Sequence, residues 1–255
     1  MKKVVITGAN GHMGKVIADI IEKRDDCEII AGIDINTKPN ENFTVYKSFS
    51  ELGEKPDVII DFSHPSALDD LLAYCKANNV AAVIGTTGYS AEQKEQIKAA
   101  SSDIPVFFTF NMSLGVNLLA SLAQQAVKIL GGQFDIEILE KHHNQKIDAP
   151  SGTALMLADA INSASDIEYE YVYDRHSVRK KREANELGIS AIRGGTIVGE
   201  HDIIFAGRDE VITLSHSAAS KGVFAVGAVN AAVFLAGKSA GMYDMSDLIA
   251  QNTAE

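Results

Sequence analysis

The first half of the chain alternates between short, continuous apolar runs and longer segments whose apolar residues recur at helical spacing. Continuous apolar runs are typical of strands buried on both faces, and the spaced segments are typical of amphipathic helices. The predicted strands are Lys3–Thr7, Glu28–Asp34, Asp57–Phe62, Val80–Gly85 and Val106–Phe110. The predicted helices are Gly11–Lys23, Ser66–Ala77 and Ala91–Ala100. This alternation predicts an α/β domain whose parallel sheet is covered on both faces.

The pattern changes after Phe110, where strands begin to follow one another without intervening helices. The predicted helices here are Ser113–Leu130, Ser151–Ser163 and Val223–Ala236. The predicted strands are Asp135–Lys141, Ile167–Tyr173, Ile189–Arg193, Gly199–Ala206 and Val211–His216, the last two joined by a turn at Gly207–Glu210. We therefore expect a second, α+β domain with an open mixed sheet over residues 113–220, while residues 1–112 and 221–255 form the first domain.

Composition and charge narrow the function classes. The chain has 255 residues and a formal net charge of −11, and it carries no apolar stretch of membrane-spanning length. We therefore expect neither a nucleic-acid partner nor a membrane. The amino-terminal residues lack the long apolar region of a signal peptide. Cys27 and Cys75 lie in apolar-patterned segments and are interpreted as reduced core thiols, so we expect a cytoplasmic protein.

A glycine-rich turn follows the first predicted strand and opens the first predicted helix. Its glycines permit a tight turn and bring backbone N–H groups close to a pyrophosphate, to which the helix N-terminus adds partial positive charge. A purely structural glycine turn is the alternative, but the strand before it and the helix after it favour a Rossmann-type dinucleotide site. The candidate residues are Gly8, Ala9, Asn10, Gly11, His12 and Met13.

Asp34 ends the second predicted strand, about twenty residues after Gly14, where a Rossmann-type site carries its acidic residue. A carboxylate at this position accepts hydrogen bonds from the adenosine ribose hydroxyls and repels a 2′-phosphate. Ile35 stands where NADPH enzymes often carry arginine, and Lys15 and Lys38 are the nearby cations. We therefore expect NADH, NADPH or both as cofactor, with NADH at least as good.

Two further polar turns follow predicted strands of the same sheet. Because ligands of open parallel sheets bind at the carboxyl ends of the strands, these turns are candidates to hold the nicotinamide ribose and carboxamide. Each turn taken alone is interpreted as a plain loop, and only the neighbouring glycine turn favours a function. The candidate residues are Gly85, Thr86, Thr87, Thr109, Phe110, Asn111 and Met112.

A helix cap follows the predicted strand Asp135–Lys141. Ser151 or Thr153 can cap the next helix. The backbone N–H groups of Ser151, Gly152 and Thr153 would then face outward as a receptor for a carboxylate. A cap with no binding role is the alternative.

His142, His143 and Lys146 precede this cap and bring local positive charge to an acidic protein. Histidine and lysine are the usual proton donors where hydride transfer leaves a group that needs protonation. A metal site at the histidine pair is the alternative. Neighbouring histidines on a strand point to opposite faces, however, and no cysteine or carboxylate has convincing ligand spacing. We therefore expect a nicotinamide-dependent reductase site without a metal.

The segment from Glu140 to Ala154 resembles the signature of the 4-hydroxy-tetrahydrodipicolinate reductase (dihydrodipicolinate reductase) family of bacterial lysine and diaminopimelate synthesis. The signature is a His-His pair, a lysine three residues after the second histidine, and Asp-Ala-Pro-Ser-Gly-Thr-Ala, all of which this chain carries. The resemblance extends over essentially the whole chain, including Asp61–Pro65, Val83–Gly88 and Gly194–His201.

The resemblance implies both a reaction and residue roles. The reaction would be NAD(P)H-dependent reduction of 4-hydroxy-tetrahydrodipicolinate, a cyclic dicarboxylate, to tetrahydrodipicolinate, with loss of water. His142 would be the proton donor or acceptor and Lys146 the proton donor. His143, Gly152 and Thr153 would bind the substrate carboxylates. The family's usual assembly is a homotetramer formed through the sheet of the second domain, and we expect the same here.

Two other functions stay open at this point. A non-catalytic NAD(H)-binding regulator on the same fold predicts a degraded histidine-lysine segment, whereas the segment is intact here. A Rossmann dehydrogenase acting on an amino acid such as aspartate shares the glycine turn but lacks Asp-Ala-Pro-Ser-Gly-Thr-Ala beside the histidines and lysine. The sequence therefore favours the reductase.

Overall fold

The computed structural model describes the backbone of residues 1–254 and the side chains of residues 1–251. It divides into two compact units. One is formed by Met1–Ser113 together with the chain from Gly222 onward, and the other by Leu114–Lys221. The chain thus leaves the first unit once and returns to it after the second is complete.

The elements are numbered along the chain over residues 1–254. The strands are β1 (Lys2–Thr7), β2 (Cys27–Ile33), β3 (Val45–Tyr46), β4 (Val58–Asp61), β5 (Ala81–Ile84), β6 (Pro105–Phe108), β7 (Asp135–His142), β8 (Glu170–Val172), β9 (Glu186–Arg193), β10 (Gly199–Ala206), β11 (Val211–Ala218) and β12 (Gly241–Tyr243). The helices are α1 (His12–Ile21), α2 (Leu68–Asn78), α3 (Ala91–Ala100), α4 (Leu114–Leu130), α5 (Gly152–Ala164), α6 (Gly222–Leu235) and α7 (Met245–Ala254).

The first unit contains a parallel sheet in the order β12-β6-β5-β4-β1-β2-β3. Every residue of β4 and β5 is buried, which requires cover on both faces of the sheet. Helices α2 and α3 pack over a core that includes Val5, Ile59 and Ala82. Helix α6 packs against α1 and against β4, β5 and β6. The predicted Rossmann-type parallel sheet is confirmed.

The second unit contains a mixed sheet in the order β11-β10-β7-β9-β8. Strand β10 is antiparallel to β7 and β11, whereas β9 is parallel to β7 and β8. Helices α4 and α5 contribute to a core that includes Leu119, Ile138, Leu157 and Phe205. The predicted turn joins β10 to β11, where the N–H of Gly207 donates to the carbonyl of Glu210 at 2.9 Å. The predicted mixed sheet is confirmed.

Some elements differ from the sequence prediction. Strands β3 and β12 are two and three residues long, too short for a period of two to be recognised, and α7 after β12 is likewise not predicted. Strand β8 begins at Glu170, later than predicted. Ser165 Oγ accepts the N–H of Ile167, and Asn162 Oδ1 accepts the N–H of Tyr169. These backbone N–H groups are therefore bonded to side chains and not to a neighbouring strand.

Two further observations concern membrane-spanning helices and the two cysteines. None of the helices described in residues 1–254 combines the length and apolarity needed to cross a bilayer. Cys27 and Cys75 are both buried and free, as the sequence predicts for core thiols. Burial raises the pKa of both thiols, so each stays protonated and unreactive.

Candidate active site

The glycine turn follows β1 directly. Gly8 has a φ of +71°, which glycine adopts freely, and a Cβ there would overlap the carbonyl oxygen of Phe62. A Cβ on Gly14 would overlap the carbonyl oxygen of Gly8, so α1 packs directly on the turn. Gly11 is the N-cap of α1, and in the described chain neither a side-chain cap nor an acidic residue satisfies the first turn of this helix. These N–H groups fit an anion.

Asp34 follows β2 and lies against the same turn. Its Oδ2 accepts the N–H of Asn10 at 2.9 Å, and its Oδ1 accepts the N–H of Asn36 at 2.9 Å. The Asn10 side chain in turn donates to the carbonyls of Asn36 at 2.6 Å and Lys38 at 2.9 Å. The structure therefore brings Asp34 and the turn Gly8–Met13 together.

The turn after β5 is fastened to the turn after β4. Thr86 is buried, and its Oγ1 accepts the N–H of Ser63 at 2.8 Å. Phe62 lies between this turn and the glycine turn, because Cβ atoms placed on either Gly8 or Gly85 would overlap it. Thr87 is exposed. The candidate turns after β1 and β5 therefore meet around Phe62, which follows β4.

The turn after β6 leaves the sheet beside the turn after β5, because Phe108 pairs with Ile84. Phe110 is 90% exposed, whereas Asn111 and Met112 are buried. Thr109 Oγ1 donates to the carbonyl of Asn111 at 3.4 Å. Among these residues, Phe110 is the side chain most available to a ligand.

Glu140 and His142 lie two residues apart on β7, so their side chains share one face of the strand. The fully buried Glu140 carboxylate accepts hydrogen bonds from His142 Nδ1 at 2.6 Å, from the Ser151 N–H at 3.0 Å, and from two Arg193 N–H groups at 2.8 and 2.7 Å. Burial alone would raise the pKa of Glu140, but these hydrogen bonds together outweigh it and lower the pKa. Glu140 is therefore ionised and can only accept.

Ser151 joins this cluster to α5. It is the N-cap of that helix, and its Oγ accepts the N–H of Ala154 at 3.1 Å. The same Oγ lies 3.0 Å from Nε2 of buried His201, whose ring meets that of His142 edge-on at 5.2 Å between centroids. Burial, and then the nearness of His142, lowers the pKa of His201 to about 4, so this ring is neutral at physiological pH.

The expectation that the Ser151 N–H faces outward is wrong. That N–H is donated inward to the Glu140 carboxylate, so the receptor at the start of α5 begins one residue later. Gly152 is exposed and has open space where a Cβ would point. The outward-facing start of α5 thus consists of Gly152 and the half-buried Thr153.

Lys146 lies in the connection between β7 and α5, where its N–H donates to the carbonyl of the half-buried His143 at 3.1 Å. Lys146 Nζ lies 2.8 Å from Asp148 Oδ1. Lys146 first, and the backbone N–H of Gly152 least, lower the pKa of the Asp148 carboxyl. Asp148 therefore stands between an ammonium group and a helix N-terminus, the position expected of a bound carboxylate.

The structure brings the residues predicted for substrate chemistry into one cluster around the end of β7 and the start of α5. Residues 1–254 contain no group of three or more histidines, cysteines or carboxylates arranged to hold a metal ion. Sequence reasoning assigns no role to Glu140, Arg193 or His201. The spacing of two between Glu140 and His142 is a usable signal, but Arg193 lies 53 residues from Glu140 and no local pattern connects them.

Comparisons with known proteins point to one family over nearly the whole chain. The family models for the N-terminus and the C-terminus of dihydrodipicolinate reductase match residues 2–112 and 115–249. The 4-hydroxy-tetrahydrodipicolinate reductase of Caldanaerobacter subterraneus subsp. tengcongensis is 51% identical over 249 residues, 98% of each chain. That of Clostridium tetani is 46% identical over 249 residues, 98% of this chain and 97% of its own.

A search of solved structures points to the same family. The dipicolinate-bound dihydrodipicolinate reductase from Paenisporosarcina sp. TG-14 is 25% identical, with a TM-score of 0.79 over 96% of this chain and 97% of that one. A probable dehydrogenase from Thermotoga maritima, 13% identical with a TM-score of 0.60 over 96% of this chain and 92% of that one, shares the fold alone. The chain therefore belongs to the dihydrodipicolinate reductase family.

Proposed function

We propose that the protein catalyses NAD(P)H-dependent reduction of 4-hydroxy-tetrahydrodipicolinate to tetrahydrodipicolinate in lysine and diaminopimelate biosynthesis. The observation that carries the proposal is the segment from His142 to Thr153, where histidine, lysine and a helix N-terminus converge. It lies in a chain that is 51% identical over 249 residues to a reductase of that name. The dipicolinate of the Paenisporosarcina structure is a small cyclic dicarboxylate, the substrate class that this cluster suits.

The first unit is the dinucleotide-binding domain in this proposal. The turn Gly8–Met13 takes the pyrophosphate at the uncapped N-terminus of α1, and Asp34 takes the adenosine ribose. NADH serves at least as well as NADPH, because a 2′-phosphate beside Asp34 would meet a carboxylate. Residues Gly85–Thr87 and Thr109–Met112 hold the nicotinamide end, where bound dihydronicotinamide supplies the hydride.

The second unit is the substrate-binding domain. One substrate carboxylate takes the place of Asp148 between Lys146 Nζ and the Gly152 N–H. His143 and Thr153 complete the binding of the two carboxylates. Hydride transfer to the electron-poor carbon of a conjugated imine leaves a ring that needs a proton, and Lys146 or His142 donates it.

The same unit also forms the assembly interface in this proposal, which gives a cytoplasmic homotetramer without nucleic-acid or membrane partners. The strands of its sheet leave apolar side chains partly exposed, at Ile192, Val211 and Ile212. Burying such side chains between subunits removes them from water. A monomer in light scattering at working concentration would contradict this assembly.

The function is tested with NADH oxidation, coupled to freshly made product of dihydrodipicolinate synthase. We expect turnover by the wild type and a loss of about 10²–10⁴-fold in kcat for Lys146→Ala, because a general acid contributes that much. Lys128→Ala is the matched control, because Lys128 is exposed on α4 and should leave the rate unchanged.

Other outcomes would favour the competing functions. NADH binding by the wild type without turnover favours a regulator. NAD-dependent oxidation of aspartate favours an amino-acid dehydrogenase. Full activity in Lys146→Ala would leave the reaction intact and remove Lys146 from proton transfer.

A further inference from the structure

We propose that Glu140 is a positioning residue that keeps a proton on His142 Nδ1, so that Nε2 is the nitrogen that exchanges the catalytic proton. The inference deepens the reductase function proposed above and rests on it. Glu140 itself touches no substrate atom in this arrangement, since its carboxylate is fully buried.

The donors and acceptors that Glu140 and His142 offer determine which His142 nitrogen carries the proton. An ionised carboxylate has no proton to give, so the 2.6 Å contact between Glu140 and His142 Nδ1 requires Nδ1 to be the donor. Neutral His142 then carries a lone pair on Nε2, and charged His142 carries a second N–H there. In both states the proton that can be gained or lost is on Nε2.

Arg193 keeps Glu140 in the ionised form that this requires. It is the last residue of β9 and pairs in register with His142, so both groups reach the same end of the sheet. Its guanidinium contacts both oxygens of Glu140, at 2.8 and 2.7 Å, and it also donates to the carbonyl of Asp148 at 2.7 Å. A buried carboxylate without such a partner would be strongly destabilised and would take up a proton.

The space around the His142 imidazole is consistent with proton exchange at Nε2. His142 is 8% exposed, and Gly199 at the start of β10 lies beside the ring. A Cβ on Gly199 would approach Nε2 to 3.1 Å. Glycine at this position therefore leaves the nitrogen uncrowded, while Glu140 holds the opposite side of the ring.

Glu140 also sets the distance between His142 and the carboxylate receptor. The Ser151 N–H donates to the same carboxylate, and the next residue, Gly152, begins the outward-facing turn of α5. One buried side chain thus ties the proton-exchanging residue to the helix that would hold the substrate carboxylate. The arrangement orients both groups before substrate arrives.

The first test needs no variant. In protein labelled with ¹⁵N-histidine, long-range proton–nitrogen correlation spectra of the neutral form of His142 should show Nδ1 as protonated and Nε2 as unprotonated. His142→Asn assigns the signals, because that variant lacks them. A wild-type His142 protonated on Nε2, or a mixture of tautomers, would overturn the proposal whether or not the protein proves to be a reductase.

The second test is Glu140→Gln, which keeps the shape and removes the charge. We expect a mixed or reversed His142 tautomer and a fall of at least about tenfold in kcat. The Kd for NADH should stay unchanged, because the glycine turn belongs to the other unit. Glu137→Gln is the matched control, since Glu137 lies on the same strand and also contacts arginines, at Arg175 and Arg182. Wild-type tautomer and kcat in Glu140→Gln would refute the proposal.

Discussion

At the residue scale, the proposed function makes Asp148 the side chain that a substrate carboxylate replaces. Its ion pair with Lys146 is largely solvent-exposed on the Asp148 side, at 57%. Exposed pairs of this kind contribute only about 0–1 kcal/mol, so a doubly charged ligand can displace the aspartate at small cost. The Lys146–Asp148 ion pair is therefore a weak competitor for the proposed substrate carboxylate.

Asp148→Asn should tighten dicarboxylate binding. Removing the competing negative charge is expected to lower the Kd of dipicolinate by less than about tenfold, in keeping with the small free energy of an exposed ion pair. Isothermal titration measures this directly. Asp209→Asn is the control, because Asp209 is 92% exposed in the turn between β10 and β11. Weaker binding by Asp148→Asn alone would show that Asp148 orients Lys146 instead of competing with substrate.

Sequence reasoning succeeds at this scale where the residues are neighbours in the chain. His142, Lys146 and Gly152 fall within one segment, and the structure places them in one cluster. It fails for the contact between Glu140 and Arg193, which depends on the register of β7 against β9 and not on spacing along the chain. The inward direction of the Ser151 N–H is also missed, because it depends on how the connection between β7 and α5 folds back onto the Glu140 carboxylate.

At the scale of single elements, the N-terminus of α5 has two functions. Its cap residue satisfies the helix backbone, and it also provides the hydrogen bond to buried His201. His201 Nδ1 has no hydrogen-bond partner within the described residues. Ser151 Oγ therefore provides the one side-chain hydrogen bond described for that ring. Loss of the Ser151 hydroxyl should therefore destabilise the protein more than loss of an ordinary N-cap would.

Ser151→Ala should destabilise the protein by more than a lost cap. Loss of the cap costs about 1 kcal/mol, and leaving the buried His201 ring unpaired adds about 1–3 kcal/mol. Urea unfolding measures the sum. Ser163→Ala, which removes an exposed hydroxyl bonded to the Ala160 carbonyl on the same helix, should stay within about 0.5 kcal/mol of wild type. Equal effects of the two substitutions would contradict this account of α5.

Some predicted elements agree with the structure at both ends. Helix α3 begins and ends at the predicted residues although it carries few apolar residues, and so does β10, whose residues alternate between buried and half-buried. Periodicity cannot show that side chains cap the stretch around Ile167, nor that three residues at Gly241–Tyr243 pair with β6 at the sheet edge. The pairing of Gly241–Tyr243 depends on tertiary contact, which local sequence does not encode. The bonds at Ile167 and Tyr169 are local, but they come from polar side chains that an apolar pattern does not record.

At the scale of the whole molecule, the first unit is discontinuous. Helix α6 lies more than a hundred residues after β6 in the chain, yet it packs against β4, β5 and β6 of the first unit. Half of the residues of α6 are buried: Ala225, Gly227, Ala228, Val229, Ala231, Ala232 and Leu235. The N-terminal segment therefore cannot complete its own core.

Fragments of the chain should differ accordingly. We expect Leu114–Lys221 to fold on its own, because its core cluster lies within that continuous stretch. Met1–Ser113 should fail to fold, because it lacks α6 and exposes the apolar faces of β4 and β5. Circular dichroism and thermal melts of the two fragments distinguish these outcomes. Cooperative melting of Met1–Ser113 would show that α6 is dispensable.

The position of α6 has a consequence for how the protein is made. A ribosome synthesises the N-terminal strands first and α6 only after the whole second unit, at about 5–20 residues per second. The apolar surface that α6 covers must therefore wait on the order of ten seconds, while the whole second unit is synthesised and folds. During that interval the exposed apolar surface can bind chaperones or aggregate, and codon changes that slow translation after Ser113 should increase aggregation.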